Sequence, residues 1–221
     1  MVISRLTQDK KCLRARLMAF LAGDGGVYFR KRKNQRGSSS YELLFCPDHK
    51  SLLDLFVQAT KVLYQKTPNV HDYGRYYKAR VFSKEAYTDL MRDSQYGKLT
   101  WRVPREFLKT KKMKKEWLRA FWDCEGYVGR RQLQVQSVNE IGLIQVRKLL
   151  REFNVESNLY NYKRANPNWN INHILSISSR PAIWQFFKNV GFNHEVKAAK
   201  LSLMFNASVP ESGKWARLEQ Q

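Results

Sequence analysis

The chain has 221 residues, of which 43% are hydrophobic and 13% aromatic, enough apolar material to bury a core and too much for a disordered tail. Its 40 Lys and Arg against 19 Asp and Glu give a net charge of +21, an excess that destabilises a compact fold unless a polyanion takes it up, which points to nucleic acid. Scattered cysteines (Cys12, Cys46, Cys124), four unclustered histidines and no run near about 18 apolar residues argue against a zinc ribbon, a disulfide scaffold and a membrane span.

The first element is an apolar, helix-like run that ends on an acid and glycines before a strand start, RLMAFLAGDGGVYF from Arg16 to Phe29. A basic strand pair follows (GVYFRKRK and YELLFC), then an amphipathic helix, DHKSLLDLFVQATKVL. A tyrosine-rich hairpin, NVHDYGRYYKARVF, leads to a helix for which Ser83 is a natural N-cap. A basic stretch, residues 97–115, comes next. The order then starts again. WLRAFWDCEGYVG (Trp117 to Gly129) repeats the helix, acid and glycine pattern, with Glu125 placed 101 residues after Asp24. YVGRR and QLQVQSV give two strands, NEIGLIQVRKLLREF a helix, SNLYNYKRANPNWNINHILSIS a hairpin, and Ser179 caps a last helix.

This duplication predicts an α/β (α+β) fold of two pseudo-symmetric αββαββα repeats. Each would carry a curved antiparallel sheet, and the two would pack through the acid-tipped helices. The boundaries read as 1–96 for the first repeat, 97–115 for a basic linker and 116–221 for the second repeat with a C-terminal tail.

The acid-tipped helices carry the chemistry. Ala19 and Gly23 in one, and Ala120 and Cys124 in the other, lie four apart and let two backbones approach closely. Gly25 and Gly126 read as C′ glycines that end the helices. Asp24 and Glu125 then sit at helix C-termini, where a carboxylate is disfavoured by roughly 0.3–1 kcal/mol, and a second one nearby adds to the cost. A divalent cation between them reverses the sign, and hard oxygen ligands suit Mg²⁺. Two ordinary solvated helix ends are the competing reading.

LMAFLAGDG (Leu17 to Gly25) and LRAFWDCEG (Leu118 to Gly126) resemble the signature motifs of the LAGLIDADG homing endonucleases in their single-chain, two-motif form. The first copy departs from the pattern in having Ala22 where the second has Asp123. The resemblance implies a site-specific endonuclease, encoded in an intron or other mobile element, that makes a staggered double-strand break by Mg²⁺-dependent hydrolysis, with Mn²⁺ able to substitute. It implies Asp24 and Glu125 as metal ligands, with the carbonyls of Gly23 and Cys124 as additional candidates. Lys98 and Lys197 are the candidate lysines around the attacking water, and Gln136 the candidate water-orienting amide, with a first-half counterpart near Phe45 or Cys46. The partner implied is double-stranded DNA, and the state a monomer with internal pseudo-twofold symmetry.

Strand alternation supplies a DNA-reading face. Gln132, Gln134 and Gln136 alternate with Leu133 and Val135; Lys78 and Arg80 oppose Ala79 and Val81; Arg30, Arg32 and Asn34 share a face; Asn170 and Asn172 alternate with Ile171 and His173, and Arg131 lies beside them. Amide and guanidinium groups of this kind read base edges in the major groove. The unlike halves imply an asymmetric target. The competing functions are an RNA-splicing maturase, which would bind intron RNA through basic surface such as residues 109–115, and a non-cleaving binder on the same fold. The expected location is intracellular (cytoplasm, nucleoid or an organelle) rather than secreted.

Overall fold

The computed structural model describes residues 2–31, 39–163, 168 and 170–206. The element order is α1 (Val2–Ala22), β1 (Gly25–Lys31), β2 (Ser39–Phe45), α2 (Lys50–Tyr64), β3 (Asn69–Asp72), β4 (Tyr77–Phe82) and α3 (Lys84–Asp93), then α4 (Lys111–Glu125), β5 (Gly126–Val128), β6 (Leu133–Ser137), α5 (Glu140–Arg151), β7 (Asn158–Tyr162), β8 (Asn172–Ile177), α6 (Arg180–Asn189) and α7 (Glu195–Asn206). Each half runs αββαββα, as the repeat predicts. The second half adds α7, which hydrophobic patterning does not announce. Both sheets are antiparallel with equivalent strand orders, β1-β2-β4-β3 and β5-β6-β8-β7. The registers correspond as well: Gly25 faces Phe45 in one sheet and Gly126 faces Val135 in the other. One step further along, Cys46 is therefore the first-half counterpart of Gln136. No helix among the described residues is long and apolar enough to cross a membrane.

Local chemistry explains most boundaries. The Ser83 and Ser179 hydroxyls accept hydrogen bonds from the amides of Ala86 (3.2 Å) and Ala182 (3.3 Å), as N-caps do. Thr110 caps α4 through the Met113 amide at 3.2 Å. The middle of each inward sheet face is buried: Leu43, Phe45, Ala79 and Val81 in one sheet, Leu133, Val135, Leu175 and Ile177 in the other. Each large aliphatic or aromatic side chain buried this way contributes about 1.5–3 kcal/mol.

The centre of the molecule is the α1–α4 pair. Leu17, Met18, Ala19 and Phe20 on α1, and Trp117, Leu118, Ala120 and Trp122 on α4, have no solvent exposure. Arg16 and Glu116 tie the two helices together at 2.6 Å. Phe20 stacks on Phe45 (4.8 Å between ring centres) and Trp122 packs on Phe186 (5.0 Å), so each central helix is also keyed to its own half.

The stretch expected as a linker is woven into the second half. Its last residues, 111–115, are the start of α4. Trp101, Val103 and Leu108 are buried. The Trp101 ring lies against Gly142 of α5 so closely that an added Cβ there would sit 2.5 Å from it. The Trp101 carbonyl accepts from Asn139 Nδ2 at 2.7 Å, and the Val103 amide donates to Gln145 Oε1 at 2.9 Å. At the other end of the stretch, buried Arg14 of α1 pairs with Asp89 (2.7 Å) and Asp93 (2.6 Å) of α3, and its guanidinium carbon lies 4.4 Å from the centre of the Phe107 ring.

Candidate active site and nucleic-acid face

The tips of α1 and α4 meet. A Cβ added to Gly23 would lie 2.7 Å from Cys124 Cβ and 3.5 Å from Glu125 Cγ, so this contact is built on the absence of a side chain. Gly23→Val is expected to force the tips apart and lower stability by about 1–3 kcal/mol, the usual cost of overpacking, measurable by urea unfolding. Gly25 and Gly126 serve differently from the C′ glycines expected. Gly126 caps α4 in extended backbone at φ −74, and among the described residues the glycines with positive φ are Gly74, Gly97 and Gly191. What excludes a side chain is close approach: a Cβ at Gly126 would sit 2.3 Å from the Trp122 carbonyl oxygen, and one at Gly25 2.7 Å from that of Leu44.

Asp24 and Glu125 project from these tips. Burial pushes the Asp24 carboxyl above its usual range; Lys197 opposes the shift, Asp48 adds to it, and a hydrogen bond with the Cys124 thiol and the charge of His194 pull it back. Burial, then the charge of Asp24, push Glu125 up to about 7, against the pull of Lys197. Two partly buried carboxylates, both raised by burial and one further by the charge of the other, are under-neutralised, and a divalent cation is the species that corrects this. Oxygen donors suit a hard ion: the two carboxylates with the carbonyls of Gly23 and Cys124 as further donors. Among the described residues no group of three or more His, Cys, Asp or Glu forms a complete cage, so water and phosphate oxygens would fill the remaining positions.

The raised Glu125 gives a signed pH effect. The folded state keeps its proton up to about 7, whereas the unfolded chain releases it near 4.5. Between those values the folded state binds more protons, so this group's contribution to stability declines as pH rises through the window. Without divalent ions, the thermal midpoint of the native chain should fall relative to that of Glu125→Gln between pH 5 and 8, as measured by calorimetry. Parallel midpoints would show that Glu125 carries no such shift.

Of the two candidate lysines, the structure brings Lys197 to the site and leaves Lys98 out. Lys197 Nζ donates to the carbonyls of Asp123 (2.5 Å) and Cys124 (3.0 Å) and acts on both carboxylates. Lys98 lies in an exposed turn and is not among the charges acting on either one. The reason is Asp123. Its buried carboxylate accepts from the amides of Asn193 (2.8 Å) and His194 (2.9 Å) and from Asn193 Nδ2 (2.9 Å), which pins the start of α7 to α4. Ala22 occupies that place in the first repeat, so no comparable anchor exists there. Burial outweighs these hydrogen bonds and raises the Asp123 carboxyl as well.

Sequence reasoning missed the histidine cluster beside the tips. His194 is buried, its Nε2 lies 3.4 Å from Asp48 Oδ1, and its ring lies against His49 at 4.7 Å. The bond to His194 is the main reason that Asp48 falls below its usual range. Asp48 comes from the first repeat and His194 from the second, so only the assembled fold reveals the pair.

The outer faces of the sheets carry most of the polar side chains expected there. Gln136 is exposed on β6, and continuing the β5–β6 register by one step sets it across from Glu125. Gln134 is half-buried on the same face. Gln132 precedes the strand, and its carbonyl accepts from the Gly129 amide at 2.9 Å. Arg131 and Asn170 are exposed. Asn172 departs from the expectation of an open reader: it is 5% exposed and donates through Nδ2 to Gln136 Oε1 at 3.0 Å, which leaves the Gln136 amide NH₂ as the free end. In the first half, Arg30, Lys78 and Arg80 lie on the face opposite buried Ala79 and Val81. Arg32 and Asn34 lie outside the described residues.

Comparison with known proteins agrees with this geometry. Residues 112–191 match the family description LAGLIDADG-like domain. Among solved structures, mesophilic variants of the homing endonuclease I-DmoI share the fold with a TM-score of 0.66 at 19% identity, over 82% of this chain and 97% of theirs. I-DmoI in complex with DNA and Mn gives 0.65 at 20% identity, with 82% and 97% covered. Full-length DUF199/WhiA from Thermatoga maritima gives 0.57 at 15% identity, over 93% of this chain and 63% of that one. A 92-residue stretch is 29% identical to part of the glutamine–fructose-6-phosphate aminotransferase of Methanocaldococcus jannaschii; it covers 41% of this chain and 8% of that protein, a local likeness.

Proposed function

We propose that this chain, which has the two-repeat LAGLIDADG fold and a LAGLIDADG-like domain in its second half, is a site-specific endonuclease cutting both strands of a long, asymmetric DNA duplex. The observation that carries the reading is the meeting of Asp24 and Glu125 at the tips of α1 and α4 in a protein of charge +21. The fold alone does not carry it, because DUF199/WhiA shares the fold. The reading treats 1–96 and 116–221 as the two repeats and places its target in the host gene of a mobile element.

Asp24 and Glu125, with the Gly23 and Cys124 carbonyls, would hold Mg²⁺ or Mn²⁺. Such an ion polarises a scissile phosphate and lowers the pKa of a bound water. The chain's own residues do the rest. Lys197 holds a positive charge beside the two carboxylates, where a phosphate dianion in the making needs it. Gln136, its carbonyl end fixed by Asn172, presents an amide toward the site from the second sheet. Cys46 stands at the equivalent place in the first sheet, so the two strand-cutting environments differ chemically.

The maturase reading would use the basic run of residues 109–115, whose lysines make surface pairs. Lys109 pairs with Glu106 (3.0 Å), Lys112 with Asp9 (2.8 Å) and Lys114 with Glu152, and Lys111 lies 5.6 Å from the centre of the Phe153 ring. Lys109 and Lys112 keep 68% and 58% of their side chains exposed within those pairs, so that surface stays open to a polyanion and selection must separate DNA from RNA.

The test is to select bound duplexes from a randomised pool and then add Mg²⁺. The selected duplex should be cut on both strands, and affinity should fall on the order of 10³ to 10⁵ between 50 and 200 mM salt if roughly eight phosphates are neutralised. Tight selection without cutting in Mg²⁺ or Mn²⁺ would leave a binding protein.

A further inference from the structure

Glu42 stands in the middle of the outer face of the first sheet, on β2. It is 3% exposed, yet it points away from the core: its chain neighbour Leu43 is fully buried, and Glu42 falls in a cross-strand row with Tyr28 and Phe82, which are 40% and 55% exposed. Two guanidiniums flank it. Arg30 Nε from β1 lies 3.3 Å from Oε2, and Arg80 Nε from β4 lies 3.2 Å from Oε1. The arginines themselves stay open, with side chains 59% and 38% exposed. The Arg30 guanidinium carbon also lies 5.5 Å from the centre of the Tyr28 ring.

A carboxylate this hidden persists only when paired. The closest approach on each side is through Nε, and a guanidinium carries five N–H donors, so donors remain for a ligand. Neither Glu42 Oε1 nor Arg80 Nε makes a hydrogen bond within the protein, so the pair is close but misaligned and free to adjust. Two arginines drawn to one carboxylate are also held off the phosphates they would otherwise seek. Guanine, with O6 and N7 acceptors side by side in the major groove, is the base edge that an arginine fork fits.

We propose that Glu42 is a specificity-determining residue that positions Arg30 and Arg80 as a paired guanine reader; this rests on the DNA-cutting function proposed above. Loss of the carboxylate releases both arginines onto the backbone, which raises indiscriminate binding while erasing base preference.

The experiment is duplex selection from a randomised pool with the native chain, Glu42→Gln and Arg80→Lys, with thermal midpoints recorded in parallel. The native chain should enrich a site with two guanine-specified positions in one half. Glu42→Gln should bind an unselected duplex more tightly, with the slope of log affinity against log salt steeper by about one. It should lose about tenfold or more in discrimination at those two positions. Arg80→Lys should lose preference at one of them, because a lysine lacks the planar fork. Enrichment of the same site with undiminished discrimination by Glu42→Gln would overturn the proposal. Should that variant fail to fold, full retention of both preferences by Arg80→Lys would do the same. A native chain that enriches no site would instead remove the function on which the proposal rests.

Discussion

Asp24→Asn and Glu125→Gln are each expected to reduce DNA cleavage by about 10³-fold or more, on the order of what removing one preorganised electrostatic partner costs a reaction. Duplex affinity should stay within a few-fold, because binding draws on the basic sheet faces and the excess of positive charge. Both substitutions keep the side-chain volume, so the close contact of the helix tips over Gly23 survives. Each also removes one of two partly buried carboxylates that burial raises, so the variants should be no less stable than the native chain without metal. Cleavage and gel-shift assays on one duplex separate the outcomes. Normal cutting by both variants in Mg²⁺ would show that the chemistry lies elsewhere.

Arg14→Ala should cost about 3–5 kcal/mol, the penalty for leaving a buried charge without its partner. Arg14 is 8% exposed and meets two acids of α3 at once, with Nε on Asp89 and Nη2 on both the Asp89 carbonyl (2.6 Å) and Asp93. Tyr64 of α2 donates its hydroxyl to the same Asp89 carboxylate at 2.7 Å. Removing the guanidinium leaves two carboxylates and a carbonyl facing a cavity. Urea unfolding followed by circular dichroism reads the loss directly. A loss under about 1 kcal/mol would place this cluster with ordinary surface ion pairs.

The sequence showed what is local and repeated. Small residues at Ala19, Gly23, Ala120 and Cys124 announced the helix contact; Ser83 and Ser179 announced their caps; and the alternation around Leu133 and Val135 announced an inward face. What it concealed depends on distant partners. The start of α7 is fixed by Asp123, seventy-odd residues away, so neither the helix nor the reach of Lys197 could be read from its own pattern. Lys98 stands in an exposed turn for the complementary reason: Ala22 offers nothing to pin the corresponding segment. Gly126 was legible as a required glycine but not for the right cause, since the Trp122 carbonyl, not a left-handed turn, excludes the side chain. Asn172 belonged to the right face, yet its burial and its bond to Gln136 became visible only once β6 and β8 were paired.

The segment that ties α3 to α4 bears on how such chains can be recombined. With Trp101 seated against Gly142, and Phe107 against Arg14, it serves as a strap crossing both repeats. Exchange of a whole repeat with that of a sister protein would therefore need the strap to travel with its two seats. A junction placed at Thr110 would separate the strap from α5, while one placed ahead of Gln95 would cut it from Arg14.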